Sequence, residues 1–196
     1  MFTGIVQAVG RIAELKPAGQ AALVTLDAGG LDLGDVAIGD SIACNGVCLT
    51  VTRLVPGGFA VDVSQETLRV TAGFTPGAGI NLEKSLRLAD RLGGHLVSGH
   101  VDGIGKVRRV NLLDGNCEMT IGFPRDLARY FARKGSVSVN GVSLTINALD
   151  AGSFSINLIP HTLKVTNLGE LKKDSLVNLE VDLVARYVER MLSPSE

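Results

Sequence analysis

The chain has 196 residues, 45% of them hydrophobic, with 19 basic and 20 acidic side chains and a formal net charge of -1. No long basic run occurs, tryptophan is absent and aromatics are 4%, which argues against a nucleic-acid groove or a base-stacking platform. The three cysteines, Cys44, Cys48 and Cys117, include no CxxC pair; they suit neither a disulfide framework nor a zinc knuckle, so a reducing, cytoplasmic setting is expected.

In chain order, the opening MFTGIVQAVGRI lacks a basic stretch followed by a long apolar run, so it does not read as a signal peptide. No segment approaches the ~20 apolar residues of a membrane span. IACNGVCLTV places Asn45-Gly46 between alternating apolar residues, a strong hairpin signal. GFAVDV follows as a short strand, and Leu86–Leu92 reads as a short helical connector before a boundary near Arg91–Gly94. Pro124–Ala132 looks helical, VSVNGVSLTI repeats the Asn-Gly hairpin at Asn140-Gly141, and FSINLI and SLVNLEVDL are further strands. Leu183–Leu192 closes the chain as a helix, with Val184, Tyr187, Val188, Met191 and Leu192 on one face.

The two hairpins belong to an internal duplication. SIACNGVCLTVT (41–52) and SVSVNGVSLTIN (136–147) align without gaps, 95 residues apart, with six identities in twelve. ETLRVT (66–71) matches HTLKVT (161–166) in the same register, and Gly4, Val6 and Gly10 meet Gly99, Val101 and Gly105. After a two-residue shift Asn81-Leu82-Glu83 meets Asn178-Leu179-Glu180. A domain-sized period with only two copies is unlike a solenoid. The expected organisation is therefore an all-β chain with domains at 1–94 and 95–183 and a helix at 184–196.

The differences between the copies point to chemistry. Cys48 faces Ser143 across the repeat, His100 faces Ile5, and Glu66 faces His161. A cysteine in a strand is often only a small buried hydrophobe, but a small polar-tipped residue in both copies suits a pocket. His100, beside glycines, is the better acid–base candidate; His95 and His100 are five apart, so on one strand they would point to opposite faces and make a poor metal pair. Thr50 and Thr145, and Thr67 and Thr162, are candidate ligand contacts. SGHVDGIG and TGIVQAVG lack the strand and helix that a dinucleotide fingerprint needs, and there is no P-loop.

MFTGIV, NGVCLTV, GGHLVSGHVDG and NGVSLTI, in that order, resemble the riboflavin synthases over the whole chain. The resemblance implies two tandem six-stranded Greek-key β-barrels and a C-terminal α-helix that assembles a homotrimer. It implies an enzyme, a transferase without a cofactor, that dismutates two 6,7-dimethyl-8-ribityllumazine molecules by four-carbon transfer. The products are riboflavin and 5-amino-6-(ribitylamino)uracil. It also implies lumazine synthase as a partner, with no metal, nucleic acid or membrane. Carried over, the first pocket takes Gly4, Ile5, Val6, Ser41, Cys48, Leu49, Thr50, Asp62, Val63, Ser64, Gln65, Glu66 and Thr67. The second takes Gly99, His100, Val101, Lys134, Ser143, Leu144, Thr145, Asn157, Leu158, Ile159, Pro160, His161 and Thr162, with Asp182 as a further polar position. Cys48, His100, Ser41 and Ser143 carry the chemistry, and His161 stands where a relative in that family has Glu. The rival is a non-catalytic lumazine- or flavin-binding protein of the same fold; a flavin reductase module would need a nicotinamide domain for which the chain has no room.

Overall fold

The computed structural model describes residues 1–113 and 115–193; the last three residues of the expected 184–196 helix lie outside them. The first half forms β1 (Ala8–Ala18), β2 (Ala21–Asp27), β3 (Ser41–Cys44), β4 (Val47–Val55), β5 (Gly58–Ser64), α1 (Gln65–Val70) and β6 (Gly79–Lys84). The strands close into an antiparallel barrel in the order β1-β2-β5-β4-β3-β6. Because β2 pairs with β5 and not with β3, the connection is of the Greek-key kind. The second half repeats it with β7 (Gly103–Leu113), β8 (Asn116–Gly122), β9 (Ser136–Val139), β10 (Val142–Thr145), β11 (Ala148–Asp150), β12 (Ser153–Leu158), α2 (Pro160–Val165) and β13 (Leu176–Val181). α3 (Leu183–Leu192) ends the described chain.

The second half differs from the expected six strands in one place. Its sheet runs β10-β9-β13-β7-β8-β12-β11, and the two end strands are consecutive in sequence. They are the counterpart of β4, cut at Ile146-Asn147. In the first half the same point is a bulge, where the β4–β5 register slips between Val51 and Arg53. A bulge leaves a residue outside the ladder; here the interruption is wide enough to end one strand and start another. Asn147 N still reaches Ser155 O at 2.8 Å, so the main chain wraps on.

Each half fills its own interior. Alternate residues of β2 (Ala22, Val24, Leu26) and of β8 (Cys117, Met119, Ile121) are buried, as period-two patterning requires. Phe123, Phe131 and Phe154 cluster in the second core with ring centroids 4.7–5.9 Å apart. A 3₁₀ turn at Arg125–Tyr130 stands where helix was expected at Pro124–Ala132. Leu86–Leu92 is not helical. Instead Leu86 N donates to Met1 O, and within the segment Asp90 Oδ2 accepts from Arg87 N at 2.9 Å.

The halves meet at their Asn-Gly turns. Asn45 and Asn140 share φ 48° and Gly46 and Gly141 share φ 79°, values of a two-residue hairpin turn. A Cβ on Gly46 would lie 2.8 Å from Gly141 N, so the turns abut. Around them Asn45 Oδ1 accepts from Asn81 N, and Asn140 Oδ1 from Asn178 N, both at 2.8 Å. Asn81 Nδ2 crosses to Asn140 O, and Asn178 Nδ2 to Asn45 O. Asn167 joins with Nδ2 on Asn45 Oδ1. Buried amides need such partners, and here most partners come from the other half.

Candidate active site

Each half sends a short arm across to the other. Phe2 and Val97 pair where the arms cross, with Phe2 N donating to Val97 O at 2.8 Å and Val97 N to Phe2 O at 3.1 Å. Beyond the crossing, Gly99 O accepts from Cys48 N, and Gly4 O from Ser143 N, both at 2.8 Å. Val101 packs on the first core and Val6 on the second. Both glycines are left-handed, with φ +74° and +82°. A Cβ on Gly4 would lie 2.6 Å from Ser143 Cβ, and one on Gly99 2.5 Å from Cys48 Cβ. Only glycine combines that conformation with that approach.

This exchanges the expected pockets. Gly99, His100 and Val101 sit with Cys48, Leu49 and Thr50, whereas Gly4, Ile5 and Val6 sit with Ser143, Leu144 and Thr145. Aligning the copies pairs each arm with its own barrel, and it cannot reveal that the arms cross.

His100 is exposed directly after Gly99, and Ile5 is exposed after Gly4. Ser41 is half-buried opposite Thr50 in the β3–β4 pair. At the end of β5, Asp62, Ser64, Gln65 and Glu66 are exposed; Ser64 Oγ caps α1 by accepting from Thr67 N at 3.0 Å. Glu66 is taken by Arg69 at 2.7 Å, which holds its carboxyl below the ordinary range. The matching end of β12 exposes Asn157, Ile159, Pro160 and His161, with Thr162 half-buried. Lys134 is exposed, with its N on Ile146 O. Asp182 Oδ1 caps α3 at Val184 N, 2.9 Å away. Leu49, Val63 and Leu158 turn their side chains into the cores, so any ligand contact there is through the main chain. A groove of about 450 Å³ flanks α1 at Gln65 and Glu66, and one of about 470 Å³ flanks α2 at Pro160, Leu163 and Lys164. Neither is lined by Cys48 or Ser143, which lie under the arms.

Several polar residues about the arms have no place in the expected pockets. His95 is buried, with Nδ1 2.7 Å from Ser143 Oγ and Nε2 without a partner among the described residues. Burial pushes its pKa down, and the negative charge of Asp182 opposes this. Thr3 and Ser98 bind the buried carboxylates of Glu83 and Glu180. The shifted Asn-Leu-Glu match carried the signal for the carboxylates. The pairing of His95 with Ser143 leaves no mark in the sequence, because the two are 48 positions apart.

A lowered imidazole has a consequence for stability. The unfolded chain takes the His95 proton near the ordinary value of 6.5, and the fold takes it only at lower pH. Stability is therefore present above about pH 6.5 and is lost as pH falls towards the folded value. His95→Gln is expected to remove this contribution, so that the wild type loses more Tm than the variant between about pH 7.5 and 5.5. Equal losses measured by calorimetry would contradict a buried neutral His95.

The family model for the lumazine binding domain matches residues 3–85 and again 98–182, each match beginning at an arm. The chain belongs to the riboflavin synthase family. It is 43% identical over 194 residues to riboflavin synthase of Photobacterium leiognathi, covering 98% of this chain and 89% of that one. It is 41% identical over 194 residues to riboflavin synthase of Bacillus subtilis, covering 98% and 90%. It is 43% identical over 198 residues to riboflavin synthase of Mycobacterium tuberculosis strain H37Rv, covering 98% of both. Among solved structures, LumP complexed with riboflavin superposes with TM-score 0.85 at 27% identity, covering 92% of this chain and 99% of LumP. LumP complexed with 6,7-dimethyl-8-(1'-D-ribityl) lumazine gives 0.83 at the same identity. Of the two six-stranded Greek-key β-barrels and the C-terminal helix that the resemblance implied, the first half is a closed six-stranded barrel, the second is a seven-stranded sheet that forms a half-barrel, and the helix follows.

Proposed function

We infer that the chain is a riboflavin synthase, converting two 6,7-dimethyl-8-ribityllumazine molecules into riboflavin and 5-amino-6-(ribitylamino)uracil. The carrying observation is a pair of equivalent strand-and-arm sites with unlike side chains, Cys48 beside the His100 arm and Ser143 beside the Ile5 arm. Dismutation needs one molecule to donate four carbons and an identical one to accept them. Duplication supplies the same recognition twice, and divergence at these positions supplies the two roles. Holding both rings together removes the entropy of their encounter. The transfer consumes two lumazines and is redox-neutral overall, so no cofactor is invoked.

In this reading His100 moves a proton at the reacting ring, Cys48 acts as nucleophile or polar contact, and Ser41 and Ser143 offer hydroxyls. The exposed ends of β5–α1 and β12–α2 bind the ribityl chains. Residues 1–94 and 95–183 are the two lumazine-binding domains, each completed by the other's arm. α3 assembles a homotrimer, in which the first site of one subunit meets the second site of its neighbour. Lumazine synthase is a partner and the cytoplasm the setting; no helix among the described residues is long and apolar enough to cross a membrane.

The second reading is a lumazine carrier like LumP, favoured by the superposition. Identity of 27% to LumP against 41–43% to the enzymes favours catalysis. Incubation with the lumazine alone separates the two, since only an enzyme makes riboflavin.

A further inference from the structure

Glu83 and Glu180 are 4% and 2% exposed, and neither forms an ion pair among the described residues. A buried carboxylate without a cation is costly unless hydrogen bonds replace its water. Here the replacements all come from the arms. Glu83 Oε1 accepts from Thr3 N and Thr3 Oγ1, both at 2.7 Å, and Oε2 from Gly4 N at 3.0 Å. Glu180 Oε1 accepts from Ser98 N and Ser98 Oγ, both at 2.6 Å, and Oε2 from Gly99 N at 2.9 Å. Burial pushes both carboxyls up, against the pull of these donors. The carbonyls of the same two glycines then accept from Ser143 N and Cys48 N.

We propose that Glu83 and Glu180 are positioning residues that act across the duplication. Glu180, at the end of β13 in the second half, fixes the arm that lays Gly99 and His100 over Cys48 of the first. Glu83 fixes the arm that lays Gly4 and Ile5 over Ser143 of the second. Each site is thus held by a carboxylate from the half that does not supply its reactive strand. The assignment of these sites to catalysis rests on the proposed function; the crossed control does not.

Alkylation of Cys48 tests the crossing without any turnover. The full chain, as wild type, Glu180→Gln and Glu83→Gln, is treated with iodoacetamide, and the Cys48 peptide is followed by mass spectrometry. Glutamine keeps one acceptor oxygen and turns an N–H donor towards Gly99 N or Gly4 N. Losing a charge-assisted bond opens the arm about 10- to 100-fold more often. Glu180→Gln is expected to speed Cys48 alkylation by about tenfold or more, and Glu83→Gln to leave it within about twofold. If Glu180→Gln does not fold, Ser98→Ala and Thr3→Ala carry the same contrast, with a few-fold faster reaction in Ser98→Ala alone. Equal rates in the two members of a folded pair would overturn the proposal. Because the readout is a thiol rate, a chain that makes no riboflavin leaves this result intact, and a chain that makes riboflavin can still fail it.

Discussion

Replacing His100 by alanine is expected to lower riboflavin formation roughly 10²- to 10⁴-fold, the usual worth of general acid–base help, with lumazine binding little changed. Cys48→Ala is expected to act in the same direction. The two residues belong to one site by geometry: Cys48 N is bonded to Gly99 O at 2.8 Å, and His100 is the next residue along the arm. An imidazole carries one ring nitrogen that can donate a proton and one that can accept it. The ribityl chain is assigned to other residues, at the end of β5 and the start of α1. Binding should therefore survive a loss of chemistry. Steady-state kcat and titration of lumazine fluorescence on the same preparations check this. Wild-type turnover in His100→Ala would remove it from the mechanism.

The second large effect is expected from deleting Val184–Glu196. In α3, Val184 is 62% exposed, Tyr187 64%, Val188 49%, Met191 83% and Leu192 79%. Burying such a side chain is worth about 1.5–3 kcal/mol, so the stripe is a strong drive to associate. The helix could have hidden it by folding back on its own barrel, but its polar side faces inward instead. Arg129 pairs with Glu189 at 2.9 Å, and Arg186 with Asp102 at 2.9 Å. The truncated chain is expected to be largely monomeric, to bind lumazine and to form little riboflavin. Light scattering and the riboflavin assay on one sample check this; a truncated trimer, or a fully active monomer, would contradict it.

What the sequence disclosed and what it hid follow from the range of the interactions. The Asn-Gly turns at Asn45 and Asn140 were legible because a two-residue turn is set by the residues in it. The α3 stripe was legible because helical periodicity is local. The repeat disclosed Cys48 and Ser143 as equivalents, since strand and turn were copied together. The crossing of the arms was not legible. Thr3–Val6 and Ser98–Val101 are short and glycine-containing, and their course is set by partners far away in sequence, Val97 for Phe2, Glu83 for Thr3 and Glu180 for Ser98. For the same reason Leu86–Leu92 misled: its composition suits a helix, but its start is held by Met1 and its middle by the Arg87–Asp90 turn. His95 stands in the sequence only as a poor metal partner for His100, and its pairing with Ser143 appears only in three dimensions.

The most direct test is incubation of the purified 196-residue chain with 6,7-dimethyl-8-ribityllumazine as sole substrate, with riboflavin and the pyrimidine product quantified together. One riboflavin and one 5-amino-6-(ribitylamino)uracil are expected for every two lumazines consumed, with no added cofactor or metal. Stable binding of lumazine with no riboflavin formed would contradict it and leave a carrier in place of an enzyme.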